Sequence, residues 1–328
     1  MAILLTGGTG FLGSHIAEQL SAAGRNVRAL VRQSSDTAFL RTLPNVELRE
    51  GSVEDRESVL RAAAGTEAIV HSAGLVKARR PEEFFRVNTI GTDNVLAAAL
   101  ENKDTVRRFV FVSSQSVAGP SDVLGTAVDI DAPPRPVTNY ARSKLAAEKK
   151  VLARKDELPV VILRPCAIYG PRDREILAFF KAIKAGVMPY MGSTENKLSM
   201  IYGPDCAAAC LRAIDADVPS GSRYFLDDGN VYRFGEMIER VETAMGKRAW
   251  LRFPLPRPVI HTAALASELY GRVFNKAVML TRDKCNELFE QWVCNSSAAQ
   301  KALDWQPRVQ FDQGAKETVA WYREAGWL

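Results

Sequence analysis

Short apolar runs alternate along the first two thirds of the chain with longer stretches whose apolar positions recur at helical spacing. Ala2–Leu5, Asn26–Val31, Val46–Arg49, Ala68–His71, Phe109–Ser113, Val160–Arg164 and Arg223–Leu226 predict strands, and Asp55–Ala64, Glu82–Glu101 and Ala141–Lys155 predict helices. Such alternation predicts a doubly wound, mostly parallel α/β sheet of Rossmann type, with right-handed crossovers and ligands at the carboxyl ends of the strands. The regularity loosens after Pro171, where Pro189, Pro204, Pro219, Pro254, Pro256 and Pro258 punctuate helical segments. Residues 1–170 therefore read as one domain and 171–328 as a smaller, mostly helical and partly discontinuous one, with about 200–228 returning to the first. The apolar tract from Pro258 to Phe274 carries His261, Glu268 and Arg272. It falls short of a membrane span and predicts a buried or substrate-facing helix.

A chain of 328 residues, 47% of them hydrophobic, can bury a substantial core. The net charge of +5 is spread among acidic neighbours, which argues against a nucleic-acid partner. Cys166, Cys206, Cys210, Cys285 and Cys294 are far from metal-site spacing, and His15, His71 and His261 are the three histidines. No metal is expected; Cys206 and Cys210, four apart on a predicted helix, read as two small buried hydrophobes, and a reducing cytoplasm fits. The first apolar stretch has no basic segment before it and is too short for a signal peptide, so the chain reads as starting mature.

Candidate chemistry begins at Thr6-Gly7-Gly8-Thr9-Gly10-Phe11-Leu12-Gly13-Ser14-His15, which follows the first predicted strand. Ile16 and Leu20 continue a helical face and Gly24 ends it. A glycine-rich turn from strand into helix lets backbone N–H groups approach a pyrophosphate, with the helix dipole behind them. At the end of the second strand, where an NAD site usually carries an acid for the ribose 2′-hydroxyl, stand Val31 and Arg32 with Ser34 and Ser35 behind. Arg32 suits a 2′-phosphate, so NADP(H) is preferred and NAD(H) possible. Tyr140 and Lys144 share one helix face, where a cation can favour the phenolate of a proton-transferring tyrosine. Ser113-Ser114 closes a strand at the same edge of the sheet.

With these residues the chain resembles the extended short-chain dehydrogenases/reductases, the group holding sugar-nucleotide epimerases, dihydroflavonol-reductase-like enzymes and 3β-hydroxysteroid dehydrogenases. Their TGxxGxxG, Asn-rich helix, SSxxV, YxxxK and RPxxxYGP patterns are matched here. The matching stretches are TGGTGFLG, Asn88-Thr89-Ile90-Gly91-Thr92-Asp93-Asn94-Val95, Ser113-Ser114-Gln115-Ser116-Val117, Tyr140 to Lys144 and Arg164-Pro165-Cys166-Ala167-Ile168-Tyr169-Gly170-Pro171. The resemblance implies that Tyr140 is the acid/base, that Lys144 lowers its pKa and holds ribose hydroxyls, that Ser114 rather than Ser113 positions the substrate oxygen, and that Asn88 supports the site. It also implies cofactor contacts from Gly7, Thr9, Gly10, Phe11, Leu12 and Gly13, and from Ala73 and Gly74. Ser52 and Val53 would lie at the adenine, with Ser52 replacing the usual Asp, and Pro165, Cys166 and Ile168 beside the nicotinamide. The helices Glu82–Glu101 and Ala141–Lys155 match those that pair relatives into homodimers.

Sugar-nucleotide enzymes of this kind carry a diphosphate-clamping arginine in the segment before the position of Asp205. This chain has none between Gly192 and Asp205, only Lys197. Met188, Tyr190, Met191, Trp250, Phe253, Leu255, Leu265, Leu269, Tyr270 and Phe274 make the second domain rich in apolar residues, which fits a small apolar substrate. The expected reaction interconverts a secondary alcohol and a ketone. An epimerase or dehydratase with retained NAD, and a non-catalytic dinucleotide sensor, are the alternatives.

Overall fold

The computed structural model describes residues 1–278 and 280–328. Seven strands form one sheet: β1 (Ala2–Thr6), β2 (Asn26–Val31), β3 (Val46–Glu50), β4 (Thr66–His71), β5 (Arg108–Val112), β6 (Val160–Pro165) and β7 (Ser222–Leu226). All six pairings are parallel, in the order β7-β6-β5-β4-β1-β2-β3. The chain winds one way from β1 to β3 and the other way from β4 to β7, so the switch point lies between β1 and β4. A crevice opens there at the carboxyl ends.

The strands read as unbroken apolar runs because both faces of the sheet are buried. Ile3 and Leu5 of β1, with Val161 and Leu163 of β6, enter one core layer, where Ile16 and Leu20 of the helix Phe11–Ala22 pack. Leu4, Val160 and Ile162 point the other way, against Val59, Val95, Leu96, Ala147 and Val151 of the opposite helices. A third apolar cluster, including Phe180, Tyr202, Tyr232, Phe311 and Tyr322, holds the mostly helical C-terminal part together. Met200–Tyr202 pairs with Ala167–Tyr169 beyond the end of β6, and β7 adds to the main sheet.

Two segments differ from their sequence reading. The helix expected over Glu82–Glu101 is α-helical at Pro81–Phe84, widens to a π-helix over Phe85–Ile90 and resumes as an α-helix over Gly91–Glu101. One extra residue in the turn is invisible to a pattern of apolar spacing, and such bulges frequently mark functional positions; Asn88 lies inside it. The tract from Pro258 forms the helix Arg257–Val273, but it buries only Ile260, Ala264 and Gly271. Leu265, Leu269, Tyr270 and Val273 face solvent, so the helix is neither buried nor lining the catalytic pocket. Among the described residues no helix is long and apolar enough to cross a membrane.

Candidate active site

The crevice at the switch point is built first by glycines. Gly7 leaves β1 with φ of +77°, and a Cβ on it would come within 2.6 Å of the Ala73 nitrogen that follows β4. A Cβ on Gly13 would come within 2.0 Å of the Gly7 carbonyl oxygen. The turn closes with the Gly10 N–H donating to the Gly7 carbonyl at 2.9 Å. The helix Phe11–Ala22 then starts with no side-chain cap and no acid in its first turn. Its first N–H groups are open toward the crevice, and the dipole favours an anion. Phe11 lays its ring against Gly203 and His15, and Leu12 is buried in the core. Both therefore have only backbone to offer a pyrophosphate. This cradle, closed to any Cβ and lacking carboxylates, fits a dinucleotide.

A buried polar chain fixes the far side of the crevice. The Thr92 hydroxyl donates to the Asn88 carbonyl at 2.6 Å, so its oxygen must accept from His71 Nε2, 2.9 Å away. His71 Nδ1 is then the acceptor for the Thr6 hydroxyl at 2.6 Å, and the Thr6 oxygen accepts the Ala73 N–H at 3.2 Å. Burial, with the Lys144 charge adding, lowers the His71 pKa to about 3, so the ring is neutral at physiological pH. The chain ties the ends of β1 and β4 to the π-helical turn. Asn88 adds a second tie: Oδ1 accepts from Leu75 N at 2.7 Å, while Nδ2 donates to the Leu75 carbonyl at 3.1 Å and to Ser143 Oγ at 2.9 Å.

The helix Asn139–Leu152 brings up the reacting groups. Thr138 caps it by accepting from Ala141 N at 3.1 Å. Tyr140, Lys144 and Glu148 then fall on one face toward the sheet. Glu148 receives Arg164 of β6 in a fully buried two-pronged pair, Nε to Oε1 at 2.9 Å and Nη2 to Oε2 at 2.7 Å. Lys144 Nζ donates to the Val112 carbonyl at 2.6 Å and lies 4.5 Å over the Phe111 ring. Its desolvation brings its pKa down to about 8, with Glu148 opposing. Gly74 borders the ammonium: a Cβ there would sit 3.6 Å from Lys144 Nζ and 3.5 Å from Asn88 Oδ1.

Burial pushes the half-buried Tyr140 phenol up to about 12, opposed by the neighbouring Ser114 hydroxyl and assisted by the Glu287 charge. The sequence led us to expect a lowered value. In the folded chain the Lys144 ammonium is engaged by the Val112 carbonyl, and desolvation of the phenol outweighs any help from it. Ser114, following β5, also accepts from Ser116 N at 3.2 Å and Ser116 Oγ at 2.9 Å. Ser113 is buried, and its hydroxyl bonds no described residue.

The structure thus brings Ser114, Tyr140, Lys144, Asn88, Ala73, Gly74 and the glycine turn to one edge of the sheet. The other expected positions are looser. Arg32 is exposed at the end of β2, next to the turn after β1, and has no ion pair among the described residues. Ser52 turns its hydroxyl to Glu54 N at 3.2 Å, and Val53 packs its side chain on Gly91. Pro165 ends β6 and Ile168 is half-buried on the core, farther round the same edge. Sequence reading missed His71–Thr92 as a unit, and also Glu148, although its place four residues after Lys144 is a readable sign.

A pocket of about 60 Å³ opens on Tyr140, lined by Val76, Phe84, Thr138, Val278, Thr281 and Glu287 among others. A cavity of about 920 Å³ lies outside it, between Arg79–Arg86 and Asn275. Of the apolar residues thought to shape a substrate site, none lines the Tyr140 pocket: Met188 is core, and Trp250, Leu265, Leu269, Tyr270 and Phe274 are exposed. Asp205 is structural, accepting from Arg308 N at 3.0 Å and Val309 N at 2.8 Å.

Residues 3–226, which hold all of the seven-stranded sheet but its first residue, Ala2, match the family described as NAD dependent epimerase/dehydratase family. The chain belongs to that family. It is 34% identical to a ceramide reductase of Caulobacter vibrioides over 99% of this chain and 96% of the relative. It is 32% identical to a 2-alkyl-3-oxoalkanoate reductase of Stenotrophomonas maltophilia, covering 98% of this chain and 99% of the relative. A dTDP-glucose 4,6-dehydratase double mutant of Streptomyces venezuelae, solved with NAD bound, superposes with a TM-score of 0.79 at 24% identity, covering 100% of this chain and 98% of the other. Relatives in sequence thus include reductases, and an NAD-bound sugar-nucleotide dehydratase shares the fold.

Proposed function

We propose that this chain is an NADP(H)-preferring ketoreductase, interconverting a secondary alcohol and a ketone on a small apolar substrate. The observation that carries the reading is the convergence of Ser114, Tyr140 and Lys144 beside the glycine cradle. A bound nicotinamide would supply and take up the hydride. Tyr140, held in its protonated form by burial, donates its phenolic proton to the substrate oxygen, which Ser114 orients. Lys144 holds positive charge at the ribose side and Asn88 locks the Leu75 backbone behind it. The cradle would be lined by Gly7, Thr9, Gly10, Phe11, Leu12 and Gly13, with Ser52, Val53, Ala73, Gly74, Pro165 and Ile168 flanking, and Arg32 would select the 2′-phosphate. Residues 1–170 would act as the cofactor domain and 171–328 as the substrate domain.

Support for an apolar ketone comes from the missing clamp arginine before Asp205 and from the ceramide reductase and the 2-alkyl-3-oxoalkanoate reductase among the relatives. We place the protein in a reducing cytoplasm, which suits its five free, buried cysteines, and as a homodimer through the Glu82–Glu101 and Ala141–Lys155 region. The test is a panel of long-chain and cyclic ketones and nucleotide sugars with NADPH and NADH, run for wild type and Tyr140→Phe. The variant keeps the ring and should bind NADPH while turnover falls roughly 10²–10⁴-fold. Efficient epimerisation of a nucleotide sugar with no ketone reduced would overturn the reading.

A further inference from the structure

The helix Arg257–Val273 turns an unusual face to solvent. Val259, Leu265, Leu269, Tyr270 and Val273, with Phe274 just past its end, are exposed, Val273 by 76%. The exposed positions between them, Thr262, Ala263 and Ala266, carry no charge. At 100° per residue these side chains cover about half of the helix circumference, opposite the narrow stripe of Ile260, Ala264 and Gly271 that holds the helix to the protein. Tyr270 and Phe274 stack with ring centroids 4.6 Å apart. A contiguous apolar face of this kind marks an interaction surface.

Charge decides the occupant. Arg257 edges the face at its start, with Arg272 and Lys276 at its end, and Arg80 stands across the adjoining cavity. None of these four has an ion pair among the described residues. Glu268, on the same helix, pairs with Arg282 at 3.0 Å, and Glu82 across the cavity is the one acid beside the four cations without an ion pair among the described residues. An apolar helix face edged by unpaired cations is the pattern of a helix lying in the plane of an anionic bilayer surface. A second copy on a two-fold axis would bring this same set of cations to both sides of the contact.

The C-terminal end of the same helix, along its Gly271–Arg272 edge beside the face, also borders the mouth of the catalytic cleft. One cavity of about 320 Å³ is lined by Gly271, Arg272 and Lys276 on the helix side and by Phe84, Thr281 and Asp283 on the other. Phe84, Thr281 and Asp283 also line the pocket on Tyr140. We propose that the protein docks on anionic phospholipid membranes through the exposed face of Arg257–Val273, so that a membrane-dissolved substrate enters along this cavity toward Tyr140. The substrate route rests on the ketoreductase reading; the docking does not.

The experiment is co-sedimentation of the full-length protein with vesicles of phosphatidylcholine alone or mixed equally with phosphatidylglycerol, beside turnover of a water-soluble ketone. Wild type should sediment with the mixed vesicles. The double variant Leu269→Glu/Val273→Glu, altering solvent-facing side chains, should lose at least about tenfold in partitioning and keep its soluble-ketone turnover. Arg272→Ser/Lys276→Ser should lose the preference for phosphatidylglycerol. Absence of wild-type binding to the mixed vesicles, or equal binding by Leu269→Glu/Val273→Glu, would overturn docking. Self-association that this double variant abolishes, without vesicle binding, would instead make the face a contact between copies and also overturn it. Vesicle binding without turnover of any ketone would leave docking standing and remove the reductase reading.

Discussion

Replacing His71 by Gln tests the buried chain that ties Thr6, Thr92 and Ala73 together. The amide offers one donor for Thr92 and one acceptor for Thr6, but it does not titrate. In the folded protein the imidazole has its pKa lowered from 6.5 to about 3, chiefly because burial penalises its charged form. The unfolded chain therefore binds a proton throughout the interval in which the folded protein does not. Stability from the neutral ring is full above pH 6.5, declines as pH falls below it by about 1.4 kcal/mol per unit, and levels off near pH 3. Between pH 7.5 and 4.5 wild type should lose about 2.7 kcal/mol relative to His71→Gln. Asp173 and Asp228, both raised to about 6 by burial, act in the opposite sense, favouring the folded state as the pH falls from 6 toward the ordinary aspartate value. They are common to both proteins and cancel in the difference, as does any packing cost of the amide. Urea unfolding of the two proteins at several pH values measures it. Parallel stability curves would refute the neutral, buried imidazole.

Arg32→Asp should weaken NADPH binding by about 2 kcal/mol through loss of a charge-assisted pair, with NADH affected much less; equal calorimetric affinities for NADPH would remove Arg32 from the cofactor site. Ketone reduction should fall as pH rises through about 8, where Lys144 loses its proton while Tyr140 keeps its own. Lys144→Met should give a low, flat profile over that range and a higher NADPH dissociation constant, and an unchanged inflection near 8 would assign it elsewhere. Arg164→Met should cost about 3–5 kcal/mol in denaturant unfolding by leaving Glu148 buried without its partner. Arg164→Met/Glu148→Leu should recover most of that, and equal destabilisation in the single and double variants would exclude the pair as the cause.

The amino-acid sequence by itself determined what is local. Period and punctuation marked strands such as Val160–Arg164 within a residue or two, since a strand buried on both faces must be continuously apolar. The glycines of residues 7–13 and the spacing of Tyr140 and Lys144 announced a cofactor turn and a shared helix face, because both are short-range constraints of backbone and helix geometry. What the tertiary structure decided is everything set by burial and by contacts between distant segments. Placing β4 beside β1 puts Ala73 against Gly7 and joins His71 to Thr6, residues 65 apart in sequence. No local pattern records that pairing. Burial, a property of the assembled fold, moves Tyr140 upward where a neighbouring lysine alone would have lowered it. The same cause misled the reading of Arg257–Val273: its apolar residues fit a core as well as a surface, and only the narrow stripe of Ile260, Ala264 and Gly271 found one.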